Sequence, residues 1–235
     1  FDFKSGLDFK TSPTAFSGGS GTLPAKPQLA RPTLIIAIVS LITTGLIGLF
    51  LLYLRGRTLL PFGLVGLALV AFYTPWITRR PLLCLVAPGL GFGPLMVTGT
   101  FIVLTGEFAW TALPTSLIPF FLVNNLLLLN QFPDIDPDRS VGRRNLPILL
   151  GRRRCSLVYG AFTLITYLVL LVAVYGGSLP YSSLLALLTS VAAIPTLIGV
   201  YRHATDMPKL LPLLKSNVAI TLLTPVLLSV GLLLD

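Results

Sequence analysis

The stretch IPFFLVNNLLLLNQFPDIDPDRSVGRRNLP, Ile118 to Pro147, joins an apolar run to a dense cluster of charges. Its second part, from Asn130 onwards, holds three aspartates and three arginines, although charged residues make up only 11% of the whole chain. Charge in or beside a membrane is costly, and such a cluster marks a functional site by default. We therefore expect this stretch to place a polar binding site at the end of an apolar helix.

The composition of the chain is that of an integral membrane protein. Its 235 residues are 54% hydrophobic with a mean hydropathy of +0.88, whereas a soluble domain has about 25% charged residues. A membrane-spanning helix needs about 20 apolar residues. We predict an all-α, polytopic transmembrane helical bundle rather than a barrel, because the apolar runs are continuous. Seven runs are long enough, at about Thr33–Leu54, Leu59–Trp76, Leu82–Leu104, Thr111–Gln131, Cys155–Tyr175, Tyr181–Tyr201 and Leu214–Leu234.

The basic residues predict the orientation of these spans. When the segment before Thr33 is placed on one side, that side holds fifteen of the seventeen lysines and arginines, and Arg55 and Arg57 fall on the other. The positive-inside rule places the richer side in the cytoplasm of a cell membrane. The net charge of +9 therefore indicates topology and attraction to anionic lipid, and we expect no nucleic-acid partner.

Oxygen ligands recur at helical spacing in the charged stretch. If the preceding helix continues, Asn130, Asp134 and Asp138 lie on one face, four residues apart. Carboxylates one turn apart repel each other unless a cation lies between them. Mg²⁺ suits such a site, because it combines carboxylate oxygens with substrate phosphates. Pro133 and Pro137 predict that the helix is kinked or ends here.

A second acidic group lies at the start of the chain, where Asp2 and Asp8 flank Lys4. The predicted topology places it on the same side as the first group. The two groups facing each other would hold metal ions around one diphosphate, with Arg143 and Arg144 near its phosphate oxygens. The apolar bundle below would hold a hydrocarbon tail. The Ser-, Gly- and Pro-rich stretch that follows is predicted to be a mobile loop of about twenty residues.

These motifs resemble the UbiA superfamily of intramembrane aromatic prenyltransferases. DIDPD, with Asp134 and Asp138, matches the D-x-x-x-D form of its second acidic motif, and FDFKSGLD matches the end of its first. FSGGSGTLP and GFGPLMVTGTFIVLTG are similar to the loop after the first motif and to the middle span of the branch that prenylates 1,4-dihydroxy-2-naphthoate. Two departures are the missing Asn-Asp that leads the first motif, and Asn145, where the branch usually has threonine.

The resemblance covers essentially the whole chain and implies a bundle of nine helices. Residues 1–235 would then form a single domain, truncated at its N-terminus, that lacks the first helix and most of the second. The implied reaction transfers a polyprenyl group from its diphosphate to an aromatic acceptor, and 1,4-dihydroxy-2-naphthoate would give a demethylmenaquinone after loss of the ring carboxylate. The alternatives are 4-hydroxybenzoate, a homogentisate-like phenol or a lipid alcohol as acceptor, a transporter, and an inactive fragment.

The resemblance also implies roles for individual residues. Mg²⁺ would be held by Asp2, Asp8, Asp134 and Asp138, which with Lys4 form the expected catalytic set. Arg79 or Arg80 would hold the acceptor carboxylate, and Tyr73 would shape the aromatic pocket. The full set of expected substrate-binding residues is Asn130, Arg143, Arg144, Tyr73, Arg79 and Arg80.

Two further features are expected to serve packing. The GLGFG stretch, Gly89 to Gly93, lies within a span and follows no strand, so we expect small residues that let helices approach closely rather than a nucleotide loop. Cys84 and Cys155 lack the spacing of a zinc site or a disulfide framework, and we expect both to pack in the core.

Overall fold

Helices account for every regular element of the computed structural model, which describes residues 1–11 and 19–234. No strand occurs within these ranges. Residues 12–18, in the middle of the predicted mobile loop, lie outside them. The α-helices are α1 (Asp2–Ser5), α2 (Thr22–Ala25), α3 (Ala30–Arg55), α4 (Leu60–Phe72), α5 (Pro81–Leu90), α6 (Gly99–Thr105), α7 (Ala112–Asn130), α8 (Ile135–Ser140), α9 (Leu146–Leu150), α10 (Arg152–Tyr175), α11 (Ser190–His203) and α12 (Met207–Leu233).

Six helical segments are long and apolar enough to cross a membrane, and they confirm the predicted class of fold. The last of them begins at Met207 rather than at the predicted Leu214, because the Asp206 side chain accepts a hydrogen bond from the Lys209 backbone N–H and caps the helix earlier. The six segments are Pro27–Arg55, Pro81–Thr105, Ala112–Asn130, Arg152–Tyr175, Tyr181–His203 and Met207–Leu233.

The remaining predicted span, Leu59–Trp76, is a shorter apolar helix over Arg57–Phe72 that consists of a 3₁₀ turn and α4. It ends before Pro75 because proline has no N–H to donate and disfavours a helical conformation at the preceding residue. The predicted span was therefore too long at its C-terminal end.

Segments on either side of the α3–α4 hairpin contact the charged stretch. Before the hairpin, Asp2 is bound by Arg143. After it, the Thr78 carbonyl accepts a hydrogen bond of 2.8 Å from the Arg144 backbone N–H. Segments that precede and follow the hairpin are therefore both bonded to the charged stretch.

The core forms around α7, which packs against α5, α10 and α12. One buried cluster, which includes Leu128 and Phe132, lies next to the charged stretch, and a second includes Ile118 and Leu122 further towards the N-terminus of α7. The helices α3 and α4 have no buried residue, and their exposed apolar side chains suit contact with lipid. The charged stretch therefore follows the most buried of the six long apolar segments.

The GLGFG stretch packs closely against α7, as expected. A Cβ atom added to Gly89 would overlap the Phe120 carbonyl and the Asn124 side chain. The Gly89 backbone N–H donates to Asn124 Oδ1 at 2.6 Å. A Cβ atom added to Gly93 would likewise overlap the Ser116 carbonyl oxygen. Small residues thus let the two helix backbones approach, which is their usual role in membrane bundles.

Replacing Gly89 with alanine is expected to destabilise the protein by about 1–3 kcal/mol, because the added methyl group forces α5 away from α7. Thermal unfolding in detergent measures this loss. The matched control is Gly66→Ala in α4, where nothing lies within 4 Å of the added Cβ; we expect a change within about 0.5 kcal/mol there. Equal melting temperatures for the two variants would contradict the close helix contact.

Candidate active site

The charged stretch begins where α7 ends, at Asn130. The helix stops there, which agrees with the break predicted from Pro133 and Pro137. The turn that follows is held by Arg152, whose guanidinium donates two hydrogen bonds, of 3.1 and 2.9 Å, to the carbonyl of the buried Phe132. Asp134 then comes immediately before the short helix α8, and its carbonyl accepts a 2.9 Å hydrogen bond from the Asp138 backbone N–H.

A glycine turn folds the chain back after α8. Gly142 has φ +79°, a left-handed conformation that glycine adopts without strain. Its N–H donates to the Arg139 carbonyl, and the Arg143 N–H donates to the Asp138 carbonyl, both at 3.1 Å. This pair of bonds is the Schellman ending of a helix. This helix ending brings Arg143 back beside the Asp138 side chain.

Arg143 joins the two acidic segments of the chain. Its Nη1 donates to Asp138 Oδ1 at 3.0 Å, and its Nη2 donates to Asp2 Oδ1. The N-terminal segment is anchored by the buried Leu7, whose 3₁₀ turn contacts α8. Asp138 is only 3% exposed. The two acidic groups therefore lie on opposite sides of one arginine, as the sequence pattern led us to expect.

Asn145 binds the other oxygen of Asp138. Its Nδ2 donates to Asp138 Oδ2 at 2.8 Å, while its Oδ1 accepts a 3.0 Å bond from the Ile148 backbone N–H at the start of α9. Both carboxylate oxygens of Asp138 are thus hydrogen-bonded. A buried carboxylate needs such partners, because burial without them is strongly unfavourable.

These side chains surround a cavity of about 240 Å³. Asn130 Oδ1 is buried there and has no hydrogen-bond partner among the residues that the structure describes. A buried acceptor without a partner calls for a physical explanation, such as a bound ion. The lining residues are Tyr73, Thr78, Cys84, Leu127, Asn130, Gln131, Asp134, Asp138, Arg143 and Asn145.

Burial and charge act in opposite directions on the acids of this cluster. Burial raises the pKa of Asp138, and the Arg143 guanidinium and the Asn145 amide oppose that rise. Burial and the neighbouring Asp2 raise the pKa of Asp8, again against the influence of Arg143. Burial opposes the charge of Arg143, but Asp138 and Asp2 outweigh it and raise the pKa of the guanidinium. Arg143 therefore compensates much of the electrostatic cost of gathering these carboxylates.

The donor set fits a magnesium ion that is shared with a phosphorylated substrate. Within residues 1–11 and 19–234, no three His, Cys, Asp or Glu side chains are grouped closely enough to hold a metal by themselves. Mg²⁺, however, is usually bound through one or two carboxylates, with waters and substrate phosphates as its other ligands. Asp134, Asp138 and the unpartnered Asn130 Oδ1 line one cavity and supply oxygen ligands of this kind.

The structure does not bring every predicted site residue to the cavity. Tyr73 lines it, with its hydroxyl 4.0 Å from Cys84 Sγ. Arg80 is exposed and stacks on the Trp76 ring, with its guanidinium carbon 5.7 Å from the ring centroid. The other predicted residues outside the cavity are the exposed Lys4, Arg79 and Arg144, and the half-buried Asp2 and Asp8 beyond Arg143.

Five lining residues were not predicted. Asn145 could have been found, because an asparagine two positions before Pro147 is typical of a helix N-cap. Gln131 follows the predicted Asn130, and its Nε2 donates to Cys84 Sγ at 3.3 Å. Leu127, Thr78 and Cys84 carry no local signal, since their place in the wall depends on how α5 packs against α7. Cys84 is buried as expected, but it also faces the site.

Comparison with known proteins adds independent information. The UbiA prenyltransferase family matches residues 29–214. The chain is 27% identical over 175 residues to a 1,4-dihydroxy-2-naphthoate octaprenyltransferase of Bacillus subtilis. The aligned region covers 72% of this chain and 53% of that protein. It is also 23% identical over 167 residues to a 2-carboxy-1,4-naphthoquinone phytyltransferase of Synechocystis sp. This aligned region covers 68% of this chain and 52% of that protein. The chain thus spans about half the length of these relatives. No solved structure matches it significantly.

Proposed function

Because the chain belongs to the UbiA prenyltransferase family, we propose that it transfers a polyprenyl group from a prenyl diphosphate to an aromatic acceptor, with Mg²⁺ as cofactor. One observation carries this proposal: Arg143 joins the two acidic segments beside a cavity that also contains Asp134 and an unpartnered amide oxygen. A diphosphate bound by Mg²⁺ requires such a combination of carboxylates and a guanidinium.

The acids of the site would hold the metal, and the arginine would hold the substrate. Asp134 and Asp138, with Asn130 Oδ1, would serve as ligands on the cavity side, and Asp2 and Asp8 would serve as ligands from the N-terminal segment. When bound there, Mg²⁺ would supply positive charge that stabilises the diphosphate as a leaving group. Arg143 adds charge-assisted hydrogen bonds to phosphate oxygens, and its planar guanidinium suits that role better than an ammonium group.

The proposed reaction breaks the allylic C–O bond, and the electron pair leaves with the diphosphate. A ring carbon of the electron-rich acceptor attacks the resulting carbocation and forms the new C–C bond, after which the ring loses a proton or a carboxylate group as carbon dioxide. The main contribution asked of the protein is electrostatic stabilisation of the leaving group. Tyr73 and Leu127 lie in the cavity wall, and exclusion of water there would protect the cation from capture.

We propose 1,4-dihydroxy-2-naphthoate as the acceptor, which would give a demethylmenaquinone after loss of the ring carboxylate. The names of both relatives, which are 27% and 23% identical to this chain, support a carboxylated naphthalene acceptor. Tyr73 and Gln131 are the lining residues that could contact the ring and its oxygens. Arg79 and Arg80 are exposed, so holding the acceptor carboxylate would require a different position of their loop.

We further propose that the protein is a multi-pass protein of the cell membrane with its site facing the cytoplasm. Fifteen of its seventeen basic residues fall on the side that carries the site in the predicted topology, and the positive-inside rule places that side in the cytoplasm. The contacts of Arg143 with Asp2 and of Arg144 with Thr78 support a common side for the three loops involved.

Membranes that carry the protein test the proposed reaction when they receive Mg²⁺, a long-chain polyprenyl diphosphate and either 1,4-dihydroxy-2-naphthoate or 4-hydroxybenzoate. We expect mass spectrometry to detect a prenylated naphthoquinone from the first acceptor and its loss when EDTA removes the metal. Product from 4-hydroxybenzoate alone would overturn the proposed acceptor. Product from neither, with the protein shown to be folded, would overturn both of these acceptors and leave the phenol and lipid-alcohol alternatives to be tested.

A further inference from the structure

Asp138 has two hydrogen-bond partners of different kinds. Arg143 is charged and is shared with Asp2, and the proposed function requires it to contact the diphosphate as well. Asn145 is neutral and 1% exposed, and its Nδ2 donates to Asp138 Oδ2 at 2.8 Å. The amide therefore directs one carboxylate oxygen without neutralising the charge that attracts a metal.

The side chain of Asn145 is fixed from both ends. Its Oδ1 accepts the 3.0 Å bond from the Ile148 N–H, so that the carbonyl arm caps α9 while the amino arm binds Asp138. A helix cap holds its side chain in one orientation. The residue is therefore a rigid link between a helix terminus and the carboxylate, whereas Arg143 has a long side chain with several alternative partners.

We propose that Asn145 is a positioning residue. It orients Asp138 so that the remaining lone pairs of the Asp138 carboxylate face the Mg²⁺–diphosphate. This inference rests on the proposed function. Residues that orient a metal ligand through such hydrogen bonds typically change metal affinity about 10- to 100-fold when they are replaced. The role requires a hydrogen-bond donor at position 145, and the capping of α9 requires no donor.

Two substitutions separate these requirements. Asn145→Gly and Asn145→Thr both retain a favourable N-cap for α9, because glycine and threonine rank close together at that position. Threonine keeps one donor, since a hydroxyl that accepts the Ile148 N–H can still donate its own hydrogen to Asp138. Glycine has no side-chain donor, and neither variant adds a charge beside Asp138. If Asn145 served only as a cap, the two variants would bind diphosphate equally.

The experiment measures binding of inorganic diphosphate in the presence of Mg²⁺, by calorimetry on the purified protein in lipid nanodiscs, with thermal unfolding of each variant alongside. We expect the Asn145→Thr variant to bind at least about tenfold more tightly than Asn145→Gly. Equal affinities, or tighter binding by Asn145→Gly, would overturn the positioning role while leaving the proposed function intact. Failure of the unsubstituted protein to bind diphosphate with Mg²⁺ would overturn both.

Discussion

Replacing Asp138 with asparagine is expected to reduce the rate of prenyl transfer about 10³-fold. Loss of one preorganised electrostatic group at an active site typically costs about 10²–10³ in rate, and here the substitution also weakens the binding of Mg²⁺. Asparagine retains the shape of the side chain and an oxygen that can accept from Arg143, so the variant is expected to fold. The measurement is the initial rate of prenylated product in membranes with equal amounts of each protein.

Asp136→Asn is the matched control, because it removes the same charge from the same short helix. The side chain of Asp136 is 84% exposed, and it pairs at 3.7 Å with Arg139, which is also exposed. Exposed pairs of this kind contribute about 1 kcal/mol or less. We expect Asp136→Asn to keep the full rate. Equal losses in both variants would show that charge on the loop matters and the buried geometry does not.

Replacing Arg143 with methionine is expected to reduce the rate about 100-fold and to destabilise the protein by about 3–5 kcal/mol. The rate falls because a charge-assisted contact to the diphosphate is lost. Stability falls because the substitution leaves the buried carboxylate of Asp138 without its charged partner. It also removes the ion pair between Arg143 and Asp2, which is one of the contacts that hold the N-terminal segment. Product formation and thermal unfolding measure the two effects.

The loss of stability in Arg143→Met should depend on pH. Without the guanidinium, burial raises the pKa of Asp138 in the folded state further above its unfolded value. The variant is then least affected below the ordinary pKa of a carboxyl group, and its deficit grows as the pH rises through the raised pKa. The matched control is Arg139→Met, whose guanidinium is exposed. A deficit independent of pH, or equal deficits in the two variants, would contradict the role assigned to the buried ion pair.

The class of fold could be predicted from the sequence because a bilayer imposes a minimum length on apolar helices. Helix ends were harder to predict, since they depend on local chemistry. The start of α12 at Met207 follows from the Asp206 cap, a signal present in the sequence. The short α4 follows from Pro75, which a hydropathy pattern does not register. The π-helical segment Gly91–Thr98 depends on how α5 and α6 pack against α7, which no local pattern contains.

The acidic residues of the site could be predicted from their spacing, and the contact between the two acidic segments followed from the predicted topology. The hydrogen-bond partners could be predicted less well. Arg143 and Arg144 are adjacent and look equivalent in sequence, but the glycine turn at Gly142 directs the first towards Asp138 and leaves the second exposed. Thr78 lies in the cavity wall for a similar reason, because its loop is bonded to the backbone of Arg144.

The most direct test of the proposed site is equilibrium binding of a prenyl thiolodiphosphate, an analogue that ionises slowly, to the protein in lipid nanodiscs. We expect binding that requires Mg²⁺, is abolished by EDTA, and is at least about tenfold weaker in Asp138→Asn than in Asp136→Asn. Tight binding that is the same with EDTA and the same in both variants would contradict the claim that the site at Asp138 and Arg143 binds a diphosphate through Mg²⁺.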